Sequence, residues 1–197
     1  MSIRTATVER KTAETSVKLI LNLDGNGHGV IDSGIGFFDH MLNLMTAHGL
    51  MDLTLACDGD IDVDGHHSVE DIGITLGQAF KQAIGDKKGI RRYGTFYLPM
   101  DEALAFVSLD ISGRPFLVYD DGGEMAPMIG GYDTELTEEF LRAFAVNAGI
   151  TLHVRVPYGK NSHHKVEAIF KALGHALRIA VEKDPRVDGI PSTKGSL

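Results

Sequence analysis

Residues 64–71 read DGHHSVED, and 97 positions later residues 161–168 read NSHHKVEA. One motif, His-His-x-x-Glu, is used twice, and internal repetition governs every later reading of a fold. The likeness extends outward from both copies. ETSVKLILNLDG (14–25) superposes on EALAFVSLDISG (102–113), with Glu14 on Glu102, Gly25 on Gly113, and Val17, Leu19, Leu21 and Leu23 on Ala105, Val107, Leu109 and Ile111. Both are alternating strands that run into a glycine turn. DHML (39–42) then aligns with EEFL (138–141), each in a segment of helical apolar spacing that stops at Gly49 or Gly149. A strand follows, LMDLTLAC in one copy and ITLHVRV in the other, and after it each His-His motif opens a helix. Val69, Ile72, Leu76, Ala79, Phe80 and Ala83 form one apolar stripe; Val166, Ile169, Phe170, Leu173, Leu177 and Val181 form the other.

Each half, 1–92 and 93–197, therefore reads strand, helix, strand, helix, with further strand material in GDIDVDG (59–65) and RRYGTFYL (91–98). A half of this size buries too little apolar surface to stand alone, so the two should pack as one unit about a pseudo-twofold axis. The fold class is α+β, built from internally duplicated αβ half-domains.

Composition narrows the function classes. With 27 acidic against 19 basic residues and a formal charge of −8, the chain lacks the basic block that tracks a nucleic-acid backbone, so no nucleic-acid partner is expected. No apolar run reaches the roughly 18–20 residues that span a bilayer, and the opening MSIRTATVERKT has no apolar signal core. Both features predict a soluble, cytoplasmic protein without a membrane partner. Cys57 is the only cysteine, which agrees with a reducing compartment and a small core residue.

On a helix, residues three or four apart share a face, whereas neighbours diverge by about 100°. Glu70 thus lies near both His66 and His67, but those two imidazoles point apart and suit two ions better than one. Imidazole and carboxylate without thiolate fit Mn²⁺, Zn²⁺ or Fe²⁺, and the carboxylate share favours Mn²⁺. A lone His-His pair is more often one exposed ring beside one packing ring. Two copies with Glu at the same offset argue against that bland reading. His40, 26 residues before the first pair, reads either as a ligand or as an interior histidine; its counterpart Glu139 lies 24 residues before His163.

With these residues in view, the chain resembles the imidazoleglycerol-phosphate dehydratases essentially end to end. The stretches that carry the resemblance are GIGFFDHML (34–42), DVDGHHSVEDIGITLGQA (62–79), MDEALAFVSLDISGRP (100–115), GKNSHHKVEAIFKALGHALR (159–178) and PSTKG (191–195). The resemblance implies a ribosomal protein S5 domain 2-like fold and dehydration of imidazole glycerol phosphate to imidazoleacetol phosphate in histidine biosynthesis. It also implies a homo-oligomer of 24 subunits, with intersubunit active sites holding two Mn²⁺ ions each. His40, His66, His67, Glu70, His163, His164 and Glu167 match the family's metal ligands. Glu139 is a departure, since many relatives carry a histidine ligand there and others an acidic residue. Leu44 is another, at a place where relatives often have Gln.

The implied reaction breaks a C–H bond that no carbonyl acidifies, so the substrate's imidazole must take up the charge, as an imidazolate between two cations. A diazafulvene-like intermediate follows, and the enol product tautomerises. A glutamate of tuned pKa suits the proton transfer. The resemblance matches Glu14 to that role, while its repeat mate Glu102, beside Asp101, either works as well or scaffolds. His48 either donates to the leaving hydroxyl or closes its helix as a cation. Arg92, Arg114, Lys171, Ser192, Thr193 and Lys194 match contacts to the substrate and its phosphate, with the tail ordering over the phosphate in a neighbouring subunit. No phosphatase domain is appended, which implies a monofunctional enzyme. The competing readings are a dinuclear metallohydrolase, which would accept substrates without an imidazole, and a non-catalytic metal-binding scaffold.

Overall fold

Alternation in the sequence becomes burial in the structure. Val17, Leu19, Leu21 and Leu23 are 0–4% exposed and their repeat mates Ala105, Val107, Leu109 and Ile111 are 0–3% exposed, because every second side chain of each strand faces inward. The computed structural model describes residues 4–123 and 125–197. The first half contains β1 (Thr5–Lys11), β2 (Thr15–Asn22), β3 (Gly29–Asp32), α1 (Gly36–Gly49), β4 (Asp52–Gly59) and α2 (His66–Ile84). The second contains β5 (Tyr93–Met100), β6 (Ala103–Asp110), β7 (Phe116–Asp120), the hairpin β8 (Met128–Ile129) and β9 (Tyr132–Asp133), α3 (Leu136–Ala148), β10 (Thr151–Tyr158) and α4 (Ser162–Val181). The sheets run β1-β2-β4-β3 and β5-β6-β10-β7, one topology built twice. Register is duplicated too: Leu19 faces Leu55 and Leu21 faces Leu53 in one sheet, Val107 faces Val154 and Leu109 faces Leu152 in the other.

Helices pair across the halves. α1 packs on α4 and α2 on α3, while α2 and α4 also cover their own sheets. The helical layer is stitched by Phe38, fully buried, whose ring lies 5.2 Å from Phe140 and 6.2 Å from Phe170, edge-on to both. Such aromatic pairs each add about 0.5–1.5 kcal/mol beyond their buried area. Close approach is set by glycine: a Cβ on Gly174 of α4 would strike the Met45 carbonyl oxygen and lie 3.0 Å from the Gly49 nitrogen. Gly77 of α2 meets the repeat mates of those atoms, the Phe144 oxygen at 2.7 Å and the Ala148 nitrogen at 2.8 Å.

Two sequence expectations are corrected. GDIDVDG is not a strand: β4 ends at Gly59 and residues 60–65 turn, with Ile61 and Val63 exposed at 45% and 72%. Its alternation is apolar, but three interleaved aspartates leave it no face to bury, and the Val63 amide instead closes a turn on the Asp60 carbonyl. Strands β1, β3 and β7 extend each half beyond the strand-helix-strand-helix reading. α1 ends at Gly49, as its spacing predicts; the left-handed C-cap is Leu50 (φ 49°), in the place that Gly149 (φ 69°) holds after α3, and Gly49 is also a contact point for α4.

Candidate metal and substrate site

Both His-His motifs sit in the first turn of a helix, where an acceptor two residues before the pair fixes the backbone. The Asn161 side chain accepts from the amides of His163 and His164, and Asp64 accepts from the His66 amide at 2.8 Å. In each pair the rings splay, at 78° and 88°, so each imidazole finds its own surroundings.

His163 turns toward α1. Its ring, His40 and Glu167 offer ligand atoms that all lie within 4.8 Å of one another. His163 Nε2 is 3.0 Å and His40 Nε2 3.5 Å from Glu167 Oε2. Glu167 is nearly buried; burial raises its pKa, but Lys171, His163 and His40 together outweigh burial and hold the carboxyl below its usual range. Two imidazoles and a carboxylate are a donor set that fits a divalent first-row metal. On the opposite helix pair, His66 Nε2 lies 4.0 Å from Glu139, which also carries an ion pair to Arg142. Each of these residues groups with the motif of the other half: His40 joins the second motif and Glu139 the first, because α1 packs on α4 and α2 on α3. The turn opening α1 lies between the two groups, with Phe37 edge-on to His163 at 5.1 Å and Ile35 against Gly65.

The other members of the pairs face the glutamates that precede β2 and β6. His164 Nδ1 is 2.7 Å from Glu102, which also accepts the amides of Asn161 and Lys160. The Asn161 amide first, then His164, draw the Glu102 pKa down to about 2, and Glu102 in turn raises that of His164. Asp101 lies 3.9 Å from His164. In the first half the place of Glu102 is taken by Asp60, 2.9 Å from His67 Nδ1, which raises the His67 pKa. Glu14 stands back at 4.0 Å, exposed. Glu70 follows His67 by three residues on α2 and is half-buried.

A separate cavity of about 660 Å³ is lined by Arg92, Arg114 and the tail residues Ser192, Thr193 and Lys194. Lys171 is not among them: it pairs with Glu167 at 2.5 Å, beside the His40–His163 group. His48 lies eight residues, about 12 Å along α1, from His40, within reach of the Lys171 and Glu167 charges, and its Nδ1 lies 3.2 Å from His175 Nε2. His175 stacks on Phe96. Burial lowers the pKa of both imidazoles, so a helix-closing cation is disfavoured. Asp60, Asp110, Arg142 and His175 were not singled out in the sequence. The repeat alignment holds a signal for Asp60 only, an extra acidic run before the first motif.

The sequence profile of imidazoleglycerol-phosphate dehydratase matches residues 33–177. The chain is 62% identical over 192 residues to an imidazoleglycerol-phosphate dehydratase of Clostridium botulinum, covering 98% of this chain and 97% of that one. It is 58% identical over 191 residues to one from Acetivibrio thermocellus, covering 96% and 97%. The fold is similar to the crystal structure of imidazoleglycerol-phosphate dehydratase from Staphylococcus aureus, with a TM-score of 0.83 and 42% identity over 91% of this chain and 99% of that one.

Proposed function

The chain belongs to the imidazoleglycerol-phosphate dehydratase family, a family of hydro-lyases, and on that premise we propose that it dehydrates imidazole glycerol phosphate to imidazoleacetol phosphate in cytoplasmic histidine biosynthesis. The observation that carries the reading is the convergence of His40, His163 and Glu167, with a second group at His66 and Glu139 built by the same repeat. His67, Glu70 and His164 complete the two donor sets. Two Mn²⁺ ions held there would supply Lewis-acid stabilisation of negative charge on the substrate's imidazole.

The chain's own residues do the rest. Glu14, free of amide bonds and exposed beside His67, moves the proton. Glu102, bound by two amides, holds the α4 motif in place. Arg92, Arg114, Ser192, Thr193 and Lys194 bind the phosphate, and Lys171 serves the substrate from beside Glu167.

The geometry favours an active site shared between subunits. The Arg92 amide donates to the Ala180 carbonyl at the far end of α4, 17 residues from His163. At 1.5 Å per residue the phosphate cavity and the imidazole group lie about 25 Å apart within one chain, beyond the span of a small phosphorylated imidazole. A second copy must supply one of them, in keeping with a 24-subunit assembly of chains whose halves divide near residue 92.

The test is chelation followed by Mn²⁺ titration, reading bound metal by mass spectrometry and imidazoleacetol phosphate by assay. The stripped protein should be inactive and recover with two equivalents. Full activity without metal, or none after reloading, overturns the proposal. Turnover of phosphate esters that lack an imidazole would instead favour a metallohydrolase.

A further inference from the structure

We propose that Asp110 is a positioning residue for phosphate recognition, fixing the Arg92 guanidinium so that one donor edge faces the cavity under the C-terminal tail. The inference rests on the reading of Arg92 as a phosphate ligand. A guanidinium has five N–H donors in a rigid plane. Arg92 Nε donates to Asp110 Oδ1 at 2.6 Å, Nη2 to Asp110 Oδ2 at 3.0 Å and Nη1 to the Pro191 carbonyl at 2.9 Å. Two donors remain, one on each Nη, open to the oxygens of a phosphate.

Other contacts restrict the same group. The guanidinium carbon lies 4.7 Å from the centre of the Tyr93 ring, which blocks one face. The Arg92 backbone is held at φ 73° by its amide bond to Ala180. Its side chain is only 11% exposed, so its open donors are held in place rather than free to swing in solvent. Asp110 Oδ2 is also 3.7 Å from Arg114 Nη2, and the Arg114 side chain is 70% exposed over the cavity. One carboxylate thereby sits between two arginines, easing their repulsion while leaving both with open donors.

The repeat supplies an internal comparison. Arg4, the mate of Arg92, is locked in the same way: Nε and Nη2 on the Asp24 carboxylate, Nη1 on the Val181 carbonyl at 2.6 Å. The mate of Arg114, however, is Asn26, and the cavity beside Arg4 is lined by Lys183, Asp184, Pro185, Val187 and Asp188 rather than by the tail from Pro191 onward. The lock alone is scaffold; the second arginine and the tail turn it into a phosphate site.

The experiment compares Asp110→Asn, Arg92→Gln, the double variant and Asp24→Asn in the metal-loaded enzyme. Read-outs are kcat, KM, the inhibition constant of inorganic phosphate, metal content and Tm. Asp110→Asn should raise KM and the phosphate inhibition constant together, on the order of tenfold, as losing a charge-assisted bond does, with kcat changed less than about twofold. In the Arg92→Gln background it should add almost nothing, since it acts through Arg92. Asp24→Asn should lower Tm and leave KM alone. Wild-type KM in Asp110→Asn while Arg92→Gln raises it, or an equal KM rise in Asp24→Asn, overturns the proposal. An unchanged KM in Arg92→Gln would instead defeat the underlying phosphate reading. Tyr93→Leu, at an exposed side chain, should shift KM the same way and keeps the test decisive if Asp110→Asn does not fold.

Discussion

Replacing Gly174 by alanine probes the contact on which the two halves close. The new methyl would point at the Met45 carbonyl oxygen, with the Gly49 nitrogen at 3.0 Å and the Met45 carbonyl carbon at 3.2 Å. All three are backbone atoms of α1, so no rotamer change relieves them. Helix propensity favours the substitution by about 1 kcal/mol. Overpacking typically costs 1–3 kcal/mol, and a clash of helix backbone with a rigid neighbour belongs at the upper end, about 3 kcal/mol. The net loss is therefore about 2 kcal/mol. For a chain of this length it lowers Tm by about 4–8 °C, at 2–4 °C per kcal/mol. The assay is differential scanning calorimetry of metal-saturated protein at fixed concentration, because metal and self-association both move Tm. Gly36→Ala, with nothing within 4 Å of the added atom, is the control and should melt at or above wild type. Gly77→Ala should behave like Gly174→Ala. If Gly174→Ala melts no lower than wild type, α1 and α4 are not in this contact and the reasoning fails.

The amides of Asn26 and His28 hold the Asp52 carboxyl below its usual range, so its contribution is present above the unfolded pKa near 3.8 and is lost as pH falls through the folded value. Asp52→Asn should therefore lower Tm at pH 7, and its gap to wild type should close below about pH 4; a gap that is constant with pH contradicts this. Glu14→Gln should depress kcat while leaving Tm unchanged, whereas Glu102→Gln should lower Tm, since it releases two amides and His164; kinetics and calorimetry on both variants decide, and the reverse outcome would exchange their roles. Deleting residues 191–197 should raise KM strongly with metal content intact, and unchanged kinetics would remove the tail from the phosphate site.

The repeat was legible because it is written in residues whose periodicity survives divergence. The β2 and β6 core positions alternate without error, and the His-His-x-x-Glu helices keep their buried stripes. What escaped lay where periodicity carries no information. β3 is short with no buried residue, so alternation had nothing to mark it. GDIDVDG had the alternation and no surface to receive it. Gly49 ends α1 as its spacing predicts, but that it is also a contact point depends on where α4 lies, which local spacing does not encode. The pairing of His40 with His163 rather than with His66 depends on which helices cross the pseudo-twofold axis, and no local spacing encodes that.

Duplication gives each half the same scaffold, and a few side chains give the halves different work. His164 is tied to Glu102 and, through it, to two backbone amides, while its mate His67 is tied to Asp60, which frees Glu14. Arg4 and Arg92 share one lock, yet Arg92 shares its cavity with a second arginine and the tail from Pro191 onward, whereas among the described residues the cavity beside Arg4 is lined by Lys183, Asp184, Pro185, Val187 and Asp188. In both cases the specialised residue is the one released from, or added to, a bond that its mate keeps for structure. α4 carries a candidate metal group at its first turn and meets the Arg92 amide near its last, so on the proposed reading of a shared site one rigid helix would fix where a second copy docks for either end to meet a complementary partner.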